Sequence, residues 1–161
     1  MNQTDRIQAF VTLGNRLRTL PADQFNIIAQ KAHHENGWFS RESVALAFKG
    51  ISVQLEESRL ANWISGYPVP ASARQIGVAM AGNIPLVGFH DFCVTLLSGH
   101  RLRYKPSSRD SVLLDYLQQQ LIDIEPQFAD YITAVDQLRG VDAIIATGSD
   151  NTSRYFEYYF R

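Results

Sequence analysis

Cysteine is nearly absent from this chain: Cys93 is the only one in 161 residues, which excludes an internal disulfide and any CxxC metal site. An excess of one charge is lacking too. The net charge is −1 with a pI near 6.4, and no basic tail or stripe is visible, so long-range attraction to nucleic acid or an anionic membrane is not expected. Residues 1–70 carry no concentrated basic face, which argues against a DNA-binding helical domain. No apolar run reaches the ~18 residues of a membrane span, and no charged-then-apolar leader is present, so the expected setting is cytoplasmic. Neither GxGxxG nor the P-loop pattern occurs, so neither standard nucleotide fingerprint applies. Of four histidines only His33 and His34 are near each other. Adjacent helical positions point ~100° apart, which suits a solvated surface better than a chelating pair.

What is present is enough apolar residue, 45% of the chain, to bury an ordinary single-domain core. Up to residue 69 the apolar pattern has a helical period. Ile7, Phe10, Val11 and Leu17 share a stripe, as do Phe25, Ile28, Ala29 and Ala32. Val44, Ala47, Phe48 and Ile51 follow behind a Ser40 cap, and Leu60, Trp63 and Ile64 suggest a fourth helix ending at Gly66. The stretch Gly66-Tyr67-Pro68-Val69-Pro70 then breaks the helical pattern and forces an extended link.

After that link, short strands alternate with helices. Strands are expected at Ile76 to Ala81, Leu102 to Tyr104, Tyr131 to Val135 and Ala143 to Ala146. Helices are expected at Leu86 to Leu97, Asp110 to Leu121 and Asn151 to Phe160. Such alternation implies parallel strands joined by right-handed crossovers. The expected fold is therefore α/β: a helical N-terminal layer (1–69), then a Rossmann-like parallel sheet with flanking helices (70–161). The closing Tyr158-Tyr159-Phe160-Arg161 would leave aromatics uncovered at the edge of such a sheet, a hint that the natural chain continues.

Three polar clusters follow three of these strands, so they should gather at one end of the sheet, where an open α/β sheet binds ligands. In Gly82-Asn83-Ile84-Pro85, the Asn83 amide can donate to a developing oxyanion or cap the next helix. In Tyr104-Lys105-Pro106-Ser107-Ser108, a proline ends the ladder pairing and leaves a cation beside two hydroxyls, suited to ribose or phosphate. In Thr147-Gly148-Ser149-Asp150, Gly148 allows close backbone approach, and free amides at the following helix could hold a phosphate. Asp150 could satisfy the same helix end without a ligand.

The order Asn-x-Pro, Lys-Pro-Ser, Thr-Gly-Ser resembles the cofactor-binding domain of the aldehyde dehydrogenase superfamily. The run from Thr147 to Phe156 in particular is similar to the LuxC-type acyl-CoA reductases. The resemblance implies reduction of a fatty acyl thioester, on CoA or on an acyl carrier, to an aldehyde by a nicotinamide cofactor. It implies that Asn83 helps hold the thioester oxygen, that Lys105 contacts the adenosine ribose with Ser107 beside it, and that Gly148 and Ser149 approach the pyrophosphate. Two positions depart from the pattern. Ser153 replaces the glycine that closes the phosphate turn, and Ser108, followed by Arg109, replaces the acidic residue of NAD-preferring members. Without that carboxylate a 2′-phosphate is not repelled, so NADP(H) is expected over NAD(H).

Such chemistry needs a cysteine nucleophile. Cys93 falls on the apolar face of a helix with Phe89 and Leu97, which makes it a core residue with a raised pKa. In the family the nucleophile comes from a later domain, so these residues are expected to bind cofactor without turnover. The competing reading is a non-catalytic module that binds a nucleotide or a protein partner; a homo-oligomer is compatible with either.

Overall fold

The structure, a computed structural model, describes residues 1–147. It opens with four helices: α1 (Gln3–Arg18), α2 (Ala22–Glu35), α3 (Arg41–Gln54) and α4 (Glu57–Ile64). Local chemistry sets where two of them begin. Asn2 accepts the Asp5 N–H at 2.8 Å while the Asp5 carboxylate accepts the Asn2 N–H at 3.1 Å, so two amides without helical partners are satisfied reciprocally. Ser40 caps α3 as its position suggests, accepting the Ser43 N–H.

Beyond the proline link come β1 (Gln75–Ala79), α5 (Phe89–Leu97), β2 (Arg101–Lys105), α6 (Ser111–Ile124), a single 3-10 turn (Pro126–Asp130), β3 (Ile132–Ala134) and β4 (Ala143–Ala146). Every strand pairing is parallel, and the strand order is β3-β2-β1-β4. The expected α/β architecture is therefore what the chain adopts. Boundaries differ most between β1 and α5. The strand stops at Ala79, and the helix starts at Phe89 instead of Leu86. Leu86 sits at φ 60°, a left-handed conformation that no helix can pass through. The expected helix Asn151 to Phe160 lies outside the described residues.

Strand alternation sorts the sheet into two faces. Ile76 and Val78 of β1, Leu102 and Tyr104 of β2, and Ile132 of β3 are buried on the face covered by helices. The other face carries Gly77, Arg101, Arg103 and Lys105; there Arg103 donates to the Arg139 carbonyl at 2.8 Å. Residues 135–142 run across this face without a helix, laying Leu138 and Val141 over Gly77. The chain thus steps from β1 outward to β2 and β3, then returns to the far side of β1 as β4. That reversal between β1 and β4 is the switch point at which open α/β sheets place ligands.

One continuous apolar core joins the helical layer to the sheet. Phe10 of α1 meets the rings of Phe89 and Phe128 edge-on, at 6.5 and 5.7 Å between centroids. Phe92 bridges onward, 5.9 Å from Phe89 and 6.2 Å from Tyr104. Residues 1–69 and the sheet are therefore distinct in secondary structure yet share their interior. Among the described residues no helix is long and apolar enough to cross a membrane.

Candidate functional site

The ends of three strands are level. Ala79 is in register with both Lys105 and Ala146. Pairing continues one step further, with the Met80 N–H donating to the Lys105 carbonyl at 3.1 Å and the Thr147 N–H to the Ala79 carbonyl at 3.2 Å. The Thr147 hydroxyl then donates to the Asp91 carboxylate in the first turn of α5, at 2.9 Å. The start of the third cluster is thus fastened beside the first; Gly148 and Ser149 lie outside the described residues.

The first and second clusters touch. Gly82 is buried because the loop after β2 packs directly on it: a Cβ added there would lie 2.2 Å from Ser107 Oγ and 2.6 Å from Ser107 Cβ. The Ser107 hydroxyl oxygen accepts the Arg109 N–H at 3.2 Å, which tightens the turn. Lys105, Ser108, Arg109 and Asn83 are exposed around this contact, whereas Ser107 is half-buried. Asn83 does not cap α5, whose N-cap is Gly88 with no side-chain hydrogen bond. Of the two roles open to the Asn83 amide, capping is therefore not the one it fills.

Gly82→Ala is expected to push these loops apart and to cost ~1–3 kcal/mol, because the nearest obstacle includes Ser107 Cβ, which cannot rotate away. Denaturant unfolding of Gly82→Ala and of Gly82→Ala/Ser107→Gly checks this. The second change should restore most of the loss; no rescue would place the strain elsewhere.

Beneath the exposed rim lies a layer of buried polar groups that the sequence did not flag. Asp110, only 5% exposed, accepts the Leu86 N–H through Oδ2 at 2.6 Å. Its Oδ1 is buried and has no partner among the described residues. Burial, with the Glu35 carboxylate adding to it, pushes the Asp110 carboxyl up to about 7 against the Leu86 hydrogen bond. Glu35, the last residue of α2, accepts the Ser111 and Val112 N–H groups at 3.0 and 3.1 Å and the Ser111 hydroxyl. That carboxylate occupies the N-terminus of α6, so the amides an anion would use there are already taken. Asn36 follows it, 7% exposed, and its Nδ2 donates to the Arg109 carbonyl at 3.2 Å and the Gly82 carbonyl at 3.4 Å. Glu35 and Asn36 have no local sequence signal; they meet their partners only because the helical layer packs on the sheet.

Cys93 is buried, and burial pushes its thiol far up, as expected of a core residue. His33 and His34 are exposed on α2, with His33 Nδ1 3.1 Å from the Phe39 carbonyl oxygen. Among the described residues no group of three or more side chains could hold a metal ion.

The sequence matches no protein-family model, and no curated protein matches it significantly.

Proposed function

We propose that the C-terminal end of this sheet is a dinucleotide site and that the chain is the cofactor-binding part of an NADPH-dependent acyl-CoA reductase. The observation that carries this reading is Lys105. It stands exposed at the end of β2, level with the last residue of β1 and next to the β1/β4 reversal. In dinucleotide-binding sheets the end of this strand selects the ribose substituent, an acidic residue favouring the free 2′-hydroxyl and a cation the 2′-phosphate. Lys105 and Arg109 supply two cations at that position, and the nearest carboxylate on the same loop, Asp110, is turned inward. The residues therefore fit NADP(H) better than NAD(H).

Lys105 and Arg109 would hold the 2′-phosphate and its ribose, with Ser108 beside them. Asn83, exposed and free of a capping duty, would donate to the substrate oxygen. The cofactor, when bound, supplies hydride. The buried Cys93 thiol is unsuited to attack a thioester, so the nucleophile for an acyl-CoA or acyl-carrier substrate would come from outside these residues. The same observation favours a second reading, nucleotide binding without turnover.

The experiment is a titration of the chain and its Lys105→Glu variant with NADPH. Replacing a cation by an anion against a phosphate should weaken binding at least ~30-fold, on the order of 2 kcal/mol, with the far-ultraviolet circular dichroism unchanged. Equal affinity in the two proteins would remove Lys105 from the site.

A further inference from the structure

The loop that carries Asn83 and the loop that carries Ser108 and Arg109, directly after Lys105, are bridged by a residue from neither. Asn36 comes from the connection between α2 and α3, and its side chain is almost completely buried. Its three hydrogen bonds use both ends of the carboxamide. Nδ2 donates to the Gly82 carbonyl on the loop after β1 and to the Arg109 carbonyl on the loop after β2. Oδ1 accepts the Trp38 N–H at 3.1 Å, which fixes the amide's orientation by satisfying its oxygen within its own connection. A carboxamide is suited to this place: two carbonyl oxygens face it, and a carboxylate there would repel both.

We propose that Asn36 is a positioning residue that sets the spacing of the two site loops, making the helical layer a working part of the ligand-binding end. Glu35 assists by holding the first turn of α6, immediately after the second loop. The Gly82 contact with Ser107 brings the loops together by packing, and Asn36 locks that approach with directional bonds. The Leu86 N–H bond to Asp110 ties the far ends of the two loops, and Asn36 ties their middles, at Gly82 and Arg109. The inference rests on the dinucleotide reading for what the loops bind, and on the Asn36 hydrogen bonds and the Gly82 contact for how they are held.

The test uses Asn36→Asp, which keeps the side-chain size and the acceptor for Trp38 but removes the donor, and Asn36→Ala, which removes both. Ile28→Ala serves as the control, since Ile28 packs against the core from the same helix, α2, and has no hydrogen-bonding side chain. Amide exchange should accelerate at least tenfold at Leu86 and Arg109 in both Asn36 variants and stay unchanged there in the control. NADPH affinity should fall about tenfold in Asn36→Asp and not in the control. Unchanged loop exchange in Asn36→Asp, or the same loosening in Ile28→Ala, would overturn the proposal. If the unmodified chain binds no dinucleotide, the ligand reading fails while the exchange comparison still decides the role of Asn36.

Discussion

Phe10→Ala is expected to destabilise the protein by ~3–5 kcal/mol and to loosen the helical layer and the sheet together. The ring is fully buried in the helical layer and contacts two aromatic rings beyond the boundary near residue 70, Phe89 at the start of α5 and Phe128 before β3. Truncation removes about a ring's worth of contacts at the one point where α1, α5 and the 3-10 turn converge, and the neighbouring rings cannot all move inward to fill the space. Against a typical total of 5–15 kcal/mol, such a loss is large. Trp63 on α4, partly covered and packed on Tyr67, reports on the helical layer by fluorescence, and the amides of β1 report on the sheet by exchange. Urea unfolding followed both ways should give one shared transition, displaced to lower urea in the variant. Loss of the fluorescence transition with the β1 amides still protected would show two independent units instead.

Asp110→Asn is expected to gain stability relative to the native protein as pH rises. Burial holds the Asp110 carboxyl near 7, above its ordinary 3.8, so the folded protein binds this proton more tightly than the unfolded chain. Folding is then favoured by protonation: the stability that the neutral carboxyl permits is fully present below about 4 and is lost as pH rises through about 7. At full strength that difference is up to ~4 kcal/mol. The groups around the carboxyl do not offset it. Glu35 on α2 is acidic, Leu86 offers one N–H from the loop after β1, and the neighbouring Arg109 is exposed. Asparagine keeps an oxygen for the Leu86 N–H and carries no charge at any pH. Its extra N–H group costs a constant amount, so the informative quantity is how the difference between the two proteins changes with pH. Urea unfolding of both from pH 4 to pH 8 should show the variant gaining on the native protein by ~2–4 kcal/mol across that span. A difference that stays flat would mean that the carboxylate is stabilised by a partner or by water.

Much of the fold is legible in the sequence because it depends on local patterns. Helical stripes such as Ile7, Phe10, Val11 and Leu17, the Ser40 cap, and short apolar runs such as Ala143 to Ala146 declare their elements without reference to the rest of the chain. The start of α5 is not legible in this way. Leu86, Val87 and Gly88 continue an apolar run, yet Leu86 takes a left-handed conformation whose N–H is claimed by Asp110, a residue distant in sequence. The candidate site divides along the same line. Lys105, Ser108 and Arg109 are visible because proline and polar residues follow a strand, and their exposure agrees with that pattern. Glu35 and Asn36 are invisible because a Glu-Asn pair at a helix end is an ordinary surface ending. Only the packing of α2 beside α6 turns those two side chains inward to the loops.

The central claim is that the exposed cations at the end of β2 select a phosphorylated dinucleotide. Isothermal titration of the chain with NADPH and, separately, NADH tests it most directly. NADPH should bind at least tenfold more tightly, and its advantage should shrink as salt rises, since the added attraction is to a phosphate. Equal affinity for the two, or binding of neither, would contradict the account.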